Sequence, residues 1–156
     1  MQHHQSLCAH VNDHDDGQGF FNACEGLKVL DLTNNKITVQ SIEAAVRETV
    51  IESLTLNSNA LVMLPNVDAS WADEDVSTDV GCSMDPAVIC NLYFLSFANN
   101  ALKTLPSNGF SGLVVSINLE NNFIDSLPAD LFGKGAGQLK EVDFSHNEIE
   151  EIPQGR

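Results

Sequence analysis

Several side chains in this 156-residue chain are of types that carry out catalysis or hold ligands. Asp143, Ser145 and His146 supply an acid, a hydroxyl and an imidazole close together in sequence. Acyl transfer needs the imidazole between the nucleophile and the orienting carboxylate. In an extended segment Asp143 and Ser145 would be neighbours on one face, with His146 at the turn beyond them. That order places no base between the other two. Gly133-Lys134-Gly135-Ala136-Gly137 has the composition of a phosphate loop, but no Gly-Lys-Ser/Thr occurs and the segment does not follow a strand. A lengthened turn explains it more simply. His3, His4, His10 and His14, with Asp13, Asp15 and Asp16, are metal-ligand types, but an unstructured N-terminal arm is the better account of them. Asp73, Asp75, Ser77 and Asp79 alternate like the start of a calcium loop but lack its glycine and its closing glutamate. The expectation is therefore no enzyme, no cofactor and no metal.

Charge narrows the partners. The formal net charge is −15, from 22 acidic and 7 basic residues. The basic residues are scattered (Lys28, Lys36, Arg47, Lys103, Lys134, Lys140, Arg156), so a nucleic-acid backbone finds no basic patch. Anionic membrane surfaces would be repelled and a basic partner attracted. No apolar run is long enough to cross a bilayer, and the first residues carry no signal-peptide pattern. Four cysteines (Cys8, Cys24, Cys82 and Cys90) are compatible with two disulfides and allow three pairings. Cys82 with Cys90 would pin one loop, and Cys8 with Cys24 would tie down the N-terminal arm. A buried free thiol is the alternative for Cys24. No Cys-x-x-Cys zinc spacing and no Asn-x-Ser/Thr glycosylation acceptor occurs.

What must position these side chains is a repeat. Five segments share one template: LKVLDLTNNKI from Leu27, IESLTLNSNAL from Ile51, LYFLSFANNAL from Leu92, VVSINLENNFI from Val114 and LKEVDFSHNEI from Leu139. Each reads apolar-x-x-apolar-x-apolar-x-x-Asn-x-apolar. The asparagines are Asn35, Asn59, Asn100, Asn122 and Asn147, spaced by 24, 41, 22 and 25 residues. The long spacing marks an insertion of 17 residues within about 66–91. Downstream, Leu64-Pro65, Leu105-Pro106, Leu127-Pro128 and Ile152-Pro153 recur, and Phe110 and Phe132 each follow a leucine by five positions. The pattern resembles the leucine-rich-repeat family over residues 27–153, in the variant with a Leu-Pro-x-x-x-Phe tail that is common in extracellular proteins. The resemblance implies a binding scaffold and tilts the location towards the extracellular side, with the compartment otherwise open.

The same fold follows from the residues. Apolar residues alternate at period two within each unit, which makes a short strand with one buried face. One strand cannot cover that face. Successive units stacked in parallel can, each touching its neighbours, with right-handed crossovers. The expected fold class is α/β: a right-handed solenoid with one parallel sheet on its concave face. The asparagines sit where each strand turns, placed to satisfy backbone groups of their own and adjacent turns. TVQSIEAAVRETV, with Ile42, Ala45, Val46 and Thr49 on one face, predicts a helix on the convex side, while the Leu-Pro repeats predict looser outer segments. Residues 1–26 read as an arm and a cap or remnant of a preceding repeat, 27–153 as the repeat domain and 154–156 as a tail. The last repeat shows no polar closing helix, which reads as part of a longer protein or a site of association.

Residues between the buried positions of each strand should face outward. One outward column is Asp31, Thr55, Ser96, Asn118 and Asp143, and Glu120 lies in the next. Tyr93 and Phe94 are the aromatics of this face, either anchors for a partner or cover for the neighbouring insertion. The acidic insertion carries Trp71 and no Lys or Arg. The expected function is recognition of a protein or peptide through this face and the insertion, with the net charge favouring a basic one. Sensing a small ligand such as a saccharide and serving as a structural spacer are the alternatives.

Overall fold

The structure is a computed structural model that describes residues 21, 24, 26–46, 51–64, 93–107, 110, 114–132 and 138–154. Five three-residue strands form it: β1 (Val29–Asp31), β2 (Ser53–Thr55), β3 (Phe94–Ser96), β4 (Ser116–Asn118) and β5 (Glu141–Asp143). They pair in chain order, all parallel, in one sheet. The register is the one the repeat demands. Leu30, Leu54, Leu95, Ile117 and Val142 line up across it, with Val29, Ser53, Phe94, Ser116 and Glu141 one position earlier. A slip of one residue would turn every buried side chain to water. Although the β2–β3 connection carries the insertion, these strands pair like the rest, because the insertion leaves both templates intact.

Behind the sheet the core runs along the stack. Leu54, Leu95 and Ile117 form one buried row, Leu56, Phe97 and Leu119 a second, and Leu61, Leu102 and Ile124 a third. Each central side chain is covered by the repeats on both sides. The corresponding residues of the last repeat, Val142, Phe144 and Ile149, are only half-buried, and Ile152 is 75% exposed. The side chain at a given template position is thus worth more in the middle of the stack than at its end.

α1 (Val39–Val46) follows the first strand and buries Ile42. Its N-terminus is closed reciprocally: the Ser41 amide donates to Thr38 Oγ1 (3.3 Å) and the Thr38 amide donates to Ser41 Oγ (3.1 Å). Two otherwise orphaned donors are satisfied in this way. The side chains of Ala45, Val46 and Thr49 lie outside the described residues. In the later repeats residues 101–106 and 123–128 form no regular element. Leucine and phenylalanine side chains fill the outer layer there, with the Phe110 and Phe132 rings tilted against each other at 6.4 Å.

Candidate recognition surface

Every strand is followed by the same turn. Asn34, Ser58, Asn99, Asn121 and His146 have positive φ, from 53° to 59°. Asparagine tolerates this left-handed region better than most residues, which suits three of the five positions. The turn carries the next residue, the template asparagine, towards the core. Asn59 Nδ2 donates to its own Leu56 carbonyl and to Leu32 of the preceding repeat, both at 3.0 Å, while its Oδ1 accepts from the Ile37 amide at 2.9 Å. Asn100 repeats the pattern on Phe97, Leu56 and the Leu61 amide, Asn122 on Leu119, Phe97 and the Leu102 amide, and Asn147 on Phe144, Leu119 and the Ile124 amide. Asn35, in the first repeat, reaches the Leu32 and Thr33 carbonyls of its own turn. From the second repeat on, one asparagine per repeat therefore ties its strand end to the strand before it.

On that face the structure brings the candidate residues together. Phe94, in the middle strand, is 53% exposed, and Val29, in the same row, is 64% exposed. Tyr93 is half-buried and its backbone bridges both neighbours: its amide donates to the Glu52 carbonyl and its carbonyl accepts from the Val115 amide. Thr55, Ser96, Asn118, Glu120 and Asp143 are half-buried, and Asp31 is exposed. Three members of one column close a local turn: Asp31 Oδ1 accepts from the Thr33 amide (2.9 Å), Asn118 Oδ1 from the Glu120 amide (2.8 Å) and Asp143 Oδ1 from the Ser145 amide (2.8 Å). Asn57 brackets β2 and β3, its Oδ1 accepting from Ser96 Oγ (2.7 Å) and from the Ala98 amide (2.8 Å). Periodicity did not single it out, because that bond joins residues made adjacent by stacking. Lys28 and Glu52 form an ion pair at 3.0 Å that is solvent-exposed, so it neutralises charge more than it stabilises.

The Thr33 hydroxyl, and then its amide, hold the Asp31 carboxyl below the ordinary carboxylate range, and Ser145 does the same for Asp143. A carboxyl depressed in the folded state contributes stability above its unfolded pKa and loses it as pH falls through the folded value. Asp31 is exposed and Asp143 lies half-buried at the surface, where water screens both, so the contribution is small. A carbon-detected NMR titration should find both carboxyls ionising below an ordinary aspartate. Thr33→Val, which removes the hydroxyl and keeps the amide, should move Asp31 part of the way back; an unmoved Asp31 would show that the hydroxyl is not the main cause.

Asp143 is engaged with Ser145 directly, and His146 lies exposed beyond both. Among the described residues no group of three or more His, Cys, Asp or Glu is placed to hold a metal ion, and no described helix is long and apolar enough to cross a membrane. The free-thiol alternative for Cys24 is corrected: its sulfur is disulfide-bonded in a buried position at the start of the repeats. Cys8, Cys82 and Cys90, the insertion at 66–91 with Asp73, Asp75, Ser77 and Asp79, the N-terminal histidines and Gly133–Gly137 lie outside the described residues.

A five-stranded parallel sheet built from one template, with an asparagine bonding across each junction, fits the leucine-rich-repeat architecture. The family model described as Leucine Rich Repeat matches residues 26–45. The chain is also similar to osteomodulin of Rattus norvegicus, 28% identical over 185 aligned positions that cover 97% of this chain and 43% of that relative. It thus spans less than half the length of the relative it matches.

Proposed function

We propose that this chain is a right-handed repeat scaffold that recognises a protein or peptide across the outward face of its sheet. The observation that carries the reading is Phe94, an aromatic left 53% exposed on the central strand of this face. Scattered exposed apolar residues are ordinary, but an aromatic ringed by polar side chains at the centre of a sheet is the arrangement of a binding anchor. Right-handedness follows from the steric preference of parallel crossovers. The acidic segment at 66–91 adds negative charge and favours a basic partner over a nucleic acid. The Cys24 disulfide and the similarity to osteomodulin support an extracellular setting.

The test is selection of a displayed random-peptide library on the intact chain, followed by affinity measurement against Tyr93→Ala and Phe94→Ala. Selected peptides should lose about tenfold or more in affinity for each variant. Peptides that bind the wild type and both variants equally would refute recognition through this face.

A further inference from the structure

The charges on the outward face are arranged around Phe94. The middle strands β2, β3 and β4 present Thr55, Ser96 and Asn118 in the central column, all uncharged, while the outer strands β1 and β5 present Asp31 and Asp143. Glu141 adds a second carboxylate on β5, and Lys140 beside it leaves that end negative by one charge. Glu52, on the approach to β2, is already paired with Lys28. Phe94 in β3 therefore has uncharged strand residues on both sides and carboxylates two strands away in each direction, with Glu120 beyond the end of β4 as the one acid on this face of the adjoining repeats that Lys28 does not pair.

Folding does not need those two charges. Asp31 and Asp143 each close a turn by accepting an amide N–H two residues on, and Asn118, in the same column, closes the same turn on Glu120 without a charge. An asparagine at 31 or 143 would serve the turn equally, since the accepting oxygen is the same in an amide and a carboxylate. The negative charge is surplus to the fold, and it stands at both edges of a face with an exposed aromatic at its centre.

Strands lie about 4.8 Å apart and rise about 3.3 Å per residue, so Glu141, in the Phe94 row, is about 10 Å from Phe94 between backbones, while Asp31 and Asp143, in the Ser96 row, are about 12 Å away on the diagonal, a difference that a long cationic side chain spans. A polyproline II segment rises about 3.1 Å per residue with three residues per turn, so side chains three apart share a face about 9 Å apart. We propose, resting on the recognition reading above, that the face takes an extended basic segment lying across the strands, with one apolar residue on Phe94 and a cationic residue three positions to either side, one at Asp31 and one at Glu141 and Asp143. The uncharged middle strands receive the apolar residue without competing for its cationic neighbours. The two acidic edges set the spacing.

Two labelled peptides of one composition test this on the intact chain by fluorescence anisotropy. In one, Arg-Pro-Pro-Leu-Pro-Pro-Arg, the cations lie three positions from the leucine; in the other, Pro-Pro-Arg-Leu-Arg-Pro-Pro, they adjoin it. The spaced peptide should bind about tenfold more tightly than the compact one. Phe94→Ala and the double variant Asp31→Asn, Asp143→Asn should each remove that preference, with the double variant keeping its turns. The charge-matched variant Glu148→Gln, Glu151→Gln, which lies past the sheet, should keep it. Equal binding of the two peptides, no binding of either, or equal loss in the charge-matched variant would overturn the proposed register. If library-selected peptides still depend on Phe94 in that event, the recognition face stands and its spacing rule falls. If they do not, both fall together.

Discussion

Phe97→Ala should destabilise the protein by about 3–5 kcal/mol, the largest single-residue effect expected among the described residues. Phe97 is 1% exposed and is among the bulkiest of the fully buried side chains. It fills the second core row between Leu56 and Leu119, each itself buried. Truncation removes the ring's transfer energy and leaves a cavity that short parallel strands, fixed in register on both sides, cannot close. Its backbone carbonyl accepts from both Asn100 and Asn122, so collapse into the cavity would also pull on two ladder bonds. Phe144 occupies the same template position in the last repeat but is half-buried. Phe144→Ala should therefore cost well under half as much. Urea unfolding followed by far-ultraviolet circular dichroism measures both. Equal losses would show that position along the stack does not set the value of a core side chain.

Asn122→Ala should cost about 2–3 kcal/mol, and Asn35→Ala about 1 kcal/mol or less. Asn122 is 4% exposed. Its Nδ2 faces the Phe97, Leu119 and Glu120 carbonyls, so its two hydrogens serve three acceptors, and its Oδ1 takes the Leu102 amide. Alanine keeps the backbone turn and leaves those groups in a dry interior with nothing to replace the amide. Asn35 carries the same amide on the first repeat, exposed to water and bonded within its own turn, so solvent can substitute for it. The comparison separates burial from residue type. If both variants lost equal stability, the cross-repeat bonds would not be the source of the effect. The same unfolding measurement decides it, and the Asn122 variant should keep its strand content below the transition.

How much of this could be read before folding is seen at particular residues. Period-two alternation around Leu30, Leu54, Leu95, Ile117 and Val142 located all five strands and their buried faces, because the direction of a side chain from a strand is a local property. The recurring asparagine marked the turn after each strand for the same local reason, and the apolar spacing around Ile42 located the helix. Other features arise only when repeats meet. The Asn57 bracket to Ser96 and Ala98 spans 39 and 41 residues of sequence, and no local pattern in either segment announces it. The left-handed residues at Ser58 and His146 carry no glycine signal, and the Ser58 amide is held by the Ala98 carbonyl of the next repeat. The disulfide state of Cys24 was open in the sequence, where a buried thiol and a bonded one look alike. Phe94 was equally ambiguous, since nothing in its own strand says whether another segment covers it. Local periodicity determines which face a residue occupies. Its exposure, its hydrogen-bond partner and its energetic weight depend on what the neighbouring repeats place beside it.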